Sequence, residues 1–120
     1  MAGCGGMLGE AFYNCFKDNY DLMCTDIDVN EDWLNPLDFR NYDKYLLDVE
    51  KFKPNYLFHI GAHTSLEYCE LNEDDAYKTN TLSVENAVNI SAVNNSGCAE
   101  ITSNVCFPME PVDPYIAIFF

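Results

Sequence analysis

Apolar residues recur along this chain at two spacings, one that suits helices and one that suits strands. Between residues 7 and 17, Leu8, Ala11, Phe12, Cys15 and Phe16 stand three or four apart, which predicts a helix. Tyr20 to Thr25 is a short apolar run that ends at Asp26 and reads as a strand. Trp33 and Leu34 predict a brief edge strand before Asn35-Pro36. Tyr42, Tyr45, Leu46, Val49 and Phe52 share one helical face between Asn41 and Lys53. That helix ends at Lys53-Pro54, because the residue before a proline is pushed out of the helical region. Tyr56 to Ile60 is a second strand, rich in aromatics and closed by Gly61. Asn72 to about Asn94 predicts a long helix, with Ala76, Asn80, Ala87, Val88 and Ala92 at its more buried positions and Asn94-Asn95-Ser96-Gly97 as its stop.

Strands that alternate with helices imply βαβ units, hence an α/β chain with a Rossmann-like doubly wound parallel sheet. The sheet is expected to be incomplete at both ends of the sequence. Gly3, Gly6 and Gly9 open the chain in the run AGCGGMLGE, and a glycine turn of this kind hangs from the end of an apolar strand. Only Met1 and Ala2 precede it, so the first strand is missing. In the order 3-2-1-4-5 that strand is central, and without it two half-sheets with unpaired edges are expected.

Residues 1–95 thus form a dinucleotide-binding region, and residues 96–120 a divergent tail. Ala99 to Phe107 reads as one more strand with its exit loop, and Pro108 to Pro114 carries three prolines. The apolar end Tyr115–Phe120 lies only 7 residues beyond Phe107, whereas a parallel neighbour needs a crossover of roughly a dozen or more. An antiparallel edge hairpin or a loose tail is the expectation there.

Composition narrows the function. A chain of 120 residues suffices for one domain and is too short for a nucleotide domain plus a substrate domain. With 20 acidic against 6 basic residues the net charge is −14, which disfavours nucleic acid and anionic membrane surfaces. It does not disfavour a pyrophosphate, because a glycine turn binds phosphate through backbone N–H groups and a helix N-terminus. Cysteines 4, 15, 24, 69, 98 and 106 contain no C-x-x-C pair and have no histidine at zinc spacing. Several sit among apolar residues and read as small core residues, which fits a reducing, cytoplasmic protein with no metal. There is no signal-peptide pattern, and no apolar run approaches the ~20 residues needed to span a bilayer.

The glycine triplet gains meaning from its surroundings. A helix pattern follows it at once, and Asp26 stands 20 residues after Gly6 at a strand tip. Gly3 and Gly6 would allow the tight turn and the approach of a pyrophosphate, and Gly9 would let the helix pack closely on the sheet. Asp26 would accept hydrogen bonds from the adenosine ribose and repel a 2′-phosphate, which favours NAD over NADP; Asp28 could serve equally well. The loop after Asp26 carries no arginine that would invite a 2′-phosphate, which leaves NADP open.

These residues resemble the N-terminal part of an extended short-chain dehydrogenase/reductase, of the NAD-dependent epimerase/dehydratase superfamily, and most nearly its dTDP-4-dehydrorhamnose reductase group. The matching stretches are GCGGMLGE, Thr25 to Asp28, Leu37-Asp38, KPNYLFHIGAHTSLEYCE (53–70) and AYKTNTLSVENAV (76–88), in family order over about residues 3 to 95. The resemblance implies that Gly3, Gly6 and Met7 contact the pyrophosphate and that Asp38 and Phe39 line the adenine pocket. It further implies that Gly61, Ala62 and His63 pass along the nicotinamide ribose, and that Asn80 stiffens the strand-to-helix region beside the site. His59, inside the apolar strand, reads as a core residue. The implied activity is hydride transfer to a 4-keto nucleotide sugar in the full-length parent, as in dTDP-rhamnose biosynthesis, and the resemblance leaves room for a homodimer.

The tail departs from the family. The family has a serine or threonine strand and then Tyr-x-x-x-Lys, whose tyrosine moves a proton at the substrate oxygen. Here Ser103 stands at the serine position, Tyr115 comes 12 residues later, and Phe119 replaces the lysine. No Tyr-x-x-x-Lys occurs in the 120 residues. Three readings follow: the nucleotide-binding portion of a reductase, epimerase or dehydratase; a non-catalytic dinucleotide-binding or regulatory module; or a gene fragment without function.

Overall fold

The computed structural model describes residues 1–94 and the backbone of a strand at Ile116–Phe119. The elements are α1 (Met7–Phe16), β1 (Cys24–Asp26), β2 (Leu34–Pro36), α2 (Tyr42–Phe52), β3 (Tyr56–His59), α3 (Leu66–Leu71), α4 (Glu73–Tyr77), a π-helical turn (Lys78–Leu82), α5 (Ser83–Val93) and β4 (Ile116–Phe119). β1 pairs with β2 and β3 pairs with β4, both in parallel.

Between those pairs lie Met1 and Ala2, and they carry the role of a strand. Ala2 donates its N–H to the Phe58 carbonyl at 2.8 Å and accepts from the Ile60 N–H at 2.9 Å. On the other side the Thr25 N–H reaches the Met1 carbonyl, and the Gly3 N–H reaches the Thr25 carbonyl, each at 2.9 Å. The expected separation into two half-sheets is thus corrected. Two residues suffice to place one bridge on Thr25 and one on His59, and the order runs β2, β1, Ala2, β3, β4.

β4 corrects a second expectation. Ile116–Phe119 runs parallel to β3 in the register Tyr56↔Ile116 to His59↔Phe119. The crossover that matters starts at β3 and passes through α3, α4 and α5, long enough for a right-handed parallel return. The link from Phe107 does not bear on it. The expected strand at Ala99–Phe107, and Ser103 within it, lie outside the described residues.

Helices cover both faces, as alternation along β3 requires. Phe58 faces α1, with its ring centroid 5.7 Å from Phe12 and 6.1 Å from Phe16. Leu57 and His59 face the other way, where Tyr45 and Val49 of α2 and Ala87 and Ile90 of α5 complete the main core. On the α1 face Cys4, Cys24 and Leu34 form a smaller cluster, and Tyr13 stacks on Trp33 with centroids 4.2 Å apart. α2 begins at Asn41, whose side chain accepts from the Lys44 N–H, and ends at Lys53 in the left-handed conformation before Pro54.

The long helix after residue 72 exists, with a register that the apolar spacing did not show. Its backbone stays helical through α4, the π turn and α5. The buried stripe is Thr79, Ser83, Ala87 and Ile90, while Asn80 and Ala92 are exposed and Ala76 and Val88 half-buried. Ser83 is buried because a polar group of the sheet, His59, meets its hydroxyl. His59, only 1% exposed, places Nδ1 3.3 Å from the Tyr45 hydroxyl and Nε2 3.2 Å from Ser83 Oγ. Since Ser83 Oγ donates to the Thr79 carbonyl, it accepts from His59 Nε2–H, and Tyr45 donates to Nδ1. That is a neutral imidazole.

Burial accordingly pushes the His59 pKa down from 6.5 to about 4. The unfolded chain takes up this proton first as pH falls, so the contribution of His59 is complete above about pH 6.5 and is lost toward pH 4. Wild type should lose roughly 3 kcal/mol relative to a His59→Asn variant between pH 7 and pH 4. Urea denaturation across that range measures it, and parallel curves for the two proteins would refute the neutral buried histidine.

Candidate functional site

The C-terminal ends of Ala2, β1, β2 and β3 meet at one edge of the sheet. In an open α/β sheet the point where strand order reverses leaves a crevice, and ligands bind there. Here the order reverses at Ala2, and the segments leaving it are the glycine turn 3–6, Asp26, the loop 37–41 and the loop 60–65.

Gly3 leaves the sheet with φ +82°, a conformation that costs a side chain and suits glycine. A Cβ at this position would also fall inside the backbone of Gly61, so the two loops touch through their glycines. Gly9, in the first turns of α1, is buried and packs on Cys4, whose backbone a Cβ would overlap. Gly6 differs from both. It is the N-cap of α1, it has no side-chain cap, and a Cβ there would meet nothing within 4 Å. The first-turn N–H groups of a helix have no intrahelical acceptor, so this end presents donors and a partial positive charge to open space. Met7, the next residue, is 90% exposed.

Asp26 stands beside the turn. One carboxylate oxygen accepts from the Gly5 N–H at 2.7 Å and the other from the Asp28 N–H at 3.1 Å. Gly5, which the motif reading passed over, is thus the residue that ties the carboxylate to the turn, and a Cβ on it would stand 2.8 Å from the Asp26 carboxyl carbon. A carboxylate has about four lone-pair positions, so Asp26 keeps acceptor capacity for a ligand hydroxyl.

Across the crevice Phe39 lies against Gly61 and meets His59 edge-on, with centroids 4.8 Å apart. Asp38 is engaged by Arg40, which donates Nε to Oδ1 and NH2 to Oδ2, each at 2.8 Å. The Arg40 guanidinium holds the Asp38 carboxyl below its usual pKa range. The second arm of Arg40 reaches Asp75 at 2.9 Å. Asp75 also takes His63 Nε2 at 2.9 Å and the Tyr68 hydroxyl at 3.1 Å, and these bonds, Tyr68 first, hold its carboxyl low. Asn80 accepts from the His63 N–H at 2.8 Å and donates to the His63 carbonyl at 2.9 Å. Gly61 is half-buried and Ala62 exposed at the same edge.

Gly3, Gly6, Asp26, Phe39, Gly61, His63 and Asn80 thus stand on the segments around this edge, with Asp38 at its rim in an ion pair, while Gly9 is buried against Cys4. Beside the turn, on the α1 face, is a cavity of ≈ 160 Å³ lined by Gly5, Glu10, Tyr13, Asn30, Glu31 and Trp33 among others. Its two carboxylates make it unsuited to phosphate. Among the described residues no group of His, Cys, Asp and Glu forms a metal cluster, and no helix is long and apolar enough to cross a membrane.

Comparison with known proteins agrees with this geometry. No protein-family model matches the chain. The chain is 27% identical over 109 residues to a dTDP-4-dehydrorhamnose reductase of Aggregatibacter actinomycetemcomitans, covering 89% of this chain and 35% of that protein. Among solved structures, a hypothetical dTDP-4-dehydrorhamnose reductase from Sulfolobus tokodaii superposes with TM-score 0.73 at 20% identity, over 78% of this chain and 34% of that one. L-threonine 3-dehydrogenase from Trypanosoma brucei gives 0.67 at 19% identity, over 75% and 31%. The resemblance to the extended short-chain dehydrogenase/reductases holds in sequence and in fold. The chain spans about a third of the length of these relatives.

The three glycines predict separable effects. Gly9→Val should cost about 1–3 kcal/mol, since backbone must move to admit it. Gly6→Val should leave stability within about 0.5 kcal/mol of wild type. Urea midpoints of the two variants make the comparison, and similar losses in both would contradict the open position at Gly6.

Proposed function

We propose that residues 1–94 are the NAD-binding part of a nucleotide-sugar reductase of the dTDP-4-dehydrorhamnose reductase type, the whole protein transferring hydride to a 4-keto sugar. The observation that carries this reading is the glycine turn at the point where strand order reverses, with an uncapped helix N-terminus and the Asp26 carboxylate on either side of Gly5 and Gly6. The match to a dTDP-4-dehydrorhamnose reductase supports the substrate class. A dinucleotide fits the residues present. Gly6 and Met7 would meet its pyrophosphate, Asp26 its adenosine ribose, and Asp38 with Phe39 its adenine. The loop from Gly61 to His63 would lie along the nicotinamide ribose. The coenzyme supplies the hydride; the residues here bind and orient it.

Free Cys4 and Cys24, buried together, suit a reducing cytoplasm. NAD is favoured over NADP because Asp26 presents charge where a 2′-phosphate would sit. A second reading is a dinucleotide-binding module without catalysis.

A thermal melt with saturating NADH tests the binding reading common to both. An upward shift supports it, and Gly6→Val should abolish that shift while leaving the ligand-free melt in place. No shift in wild type would reject a dinucleotide site. Asp26→Asn keeps an acceptor for the Gly5 N–H and removes the charge. It should lower the preference for NADH over NADPH by about tenfold, measured by fluorescence titration; an unchanged ratio would remove the ribose role.

A further inference from the structure

The π turn at Lys78–Leu82 carries a cost, a support and a consequence, and together they assign a role to Ser83. π turns are rare and gather at functional sites. The cost is visible at Thr79. In a helix a threonine hydroxyl can bond a carbonyl three or four residues back. Thr79 Oγ1 instead lies buried with no hydrogen-bond partner among the described residues.

The support comes from Ser83. In α geometry the Thr79 carbonyl would accept the Ser83 N–H, four residues on. Here the Ser83 N–H goes to the Lys78 carbonyl, and the Ser83 hydroxyl takes the Thr79 carbonyl in its place. Ser83 is fully buried, and its oxygen is fixed from the sheet by His59 Nε2, which Tyr45 fixes in turn.

The consequence is where Asn80 points. One residue in an α-helix is worth about 100° of rotation, so restoring α register would turn Asn80 away from its present direction relative to α5. In the π register Asn80 is exposed and makes both of its hydrogen bonds to the His63 backbone.

We propose that Ser83, oriented by His59, is a positioning residue for the coenzyme loop: it holds the π turn that aims Asn80 at His63. This rests on the dinucleotide reading for its effect on binding, although the coupling from Ser83 to His63 exists without ligand.

The test uses Ser83→Ala, Asn80→Ala and the double variant, with two readouts. The first is hydrogen exchange of the His63 amide in the ligand-free chain, and the second is NADH affinity. Each single variant should speed His63 exchange about tenfold and weaken NADH by a similar factor, the net worth of about one hydrogen bond. The double variant should be no worse than Asn80→Ala alone, because Ser83 acts through Asn80. Ser83→Cys keeps the volume and weakens the bond, and supplies the same comparison where Ser83→Ala folds poorly. Unchanged His63 exchange in Ser83→Ala, or losses that add in the double variant, would overturn the proposal. Altered exchange in a chain that never binds NADH would reject the dinucleotide reading and leave the coupling established.

Discussion

Backbone hydrogen bonding through two residues holds this sheet together. Met1 and Ala2 offer one donor and one acceptor to β3, and bond Thr25 on the other side. Because Ala2 is 1% exposed and sits in the main core, those bonds are shielded from water, where a broken one is costly. The crevice inherits its geometry from them. Gly3 follows Ala2 directly, Thr25 precedes Asp26, and Ile60 precedes Gly61, so the same ladder that joins the half-sheets also sets the distances among the three segments at this edge.

The elements with a one-sided apolar face were legible in the sequence. α1, α2, β1 and β3 stand within a few residues of the positions their spacing predicts, and Lys53-Pro54 stops α2 as proline chemistry requires. α3 was not legible, because Leu66 and Leu71 are 74% and 77% exposed and the helix buries nothing. Its one local sign is Ser65, whose hydroxyl caps the Tyr68 N–H. The buried stripe of the long helix was hidden for the opposite reason. Ser83 reads as a surface residue until His59 is known to face it, and that contact spans 24 positions.

The site was legible where a motif is local. Glycines three apart, followed by a strand-borne acid, mark the turn at Gly3 to Gly6 and the Asp26 beside it, which the structure joins through the Gly5 N–H. What the motif could not give is how Asp26 is used within the protein, since the bond to Gly5 crosses 21 positions. The chain of polar contacts from Asp38 through Arg40 and Asp75 to His63 is equally remote in sequence, with Arg40 and Asp75 standing 35 positions apart. Long-range polar contacts leave no periodicity to read.

Charge then decides what kind of binding this crevice can support. The chain carries −14 overall, and its single arginine is held between two carboxylates. A guanidinium paired on both sides has little field left for a phosphate, and like charges across the surface repel an anionic ligand. For the proposed dinucleotide, attraction would be local, from the N–H groups at the start of α1, within the first turn, where a helix dipole acts. Such donors select by shape and hydrogen bonding, at short range and with little help from steering. The proposed pyrophosphate site therefore asks nothing of the acidic surface around it beyond the donors of its own turn.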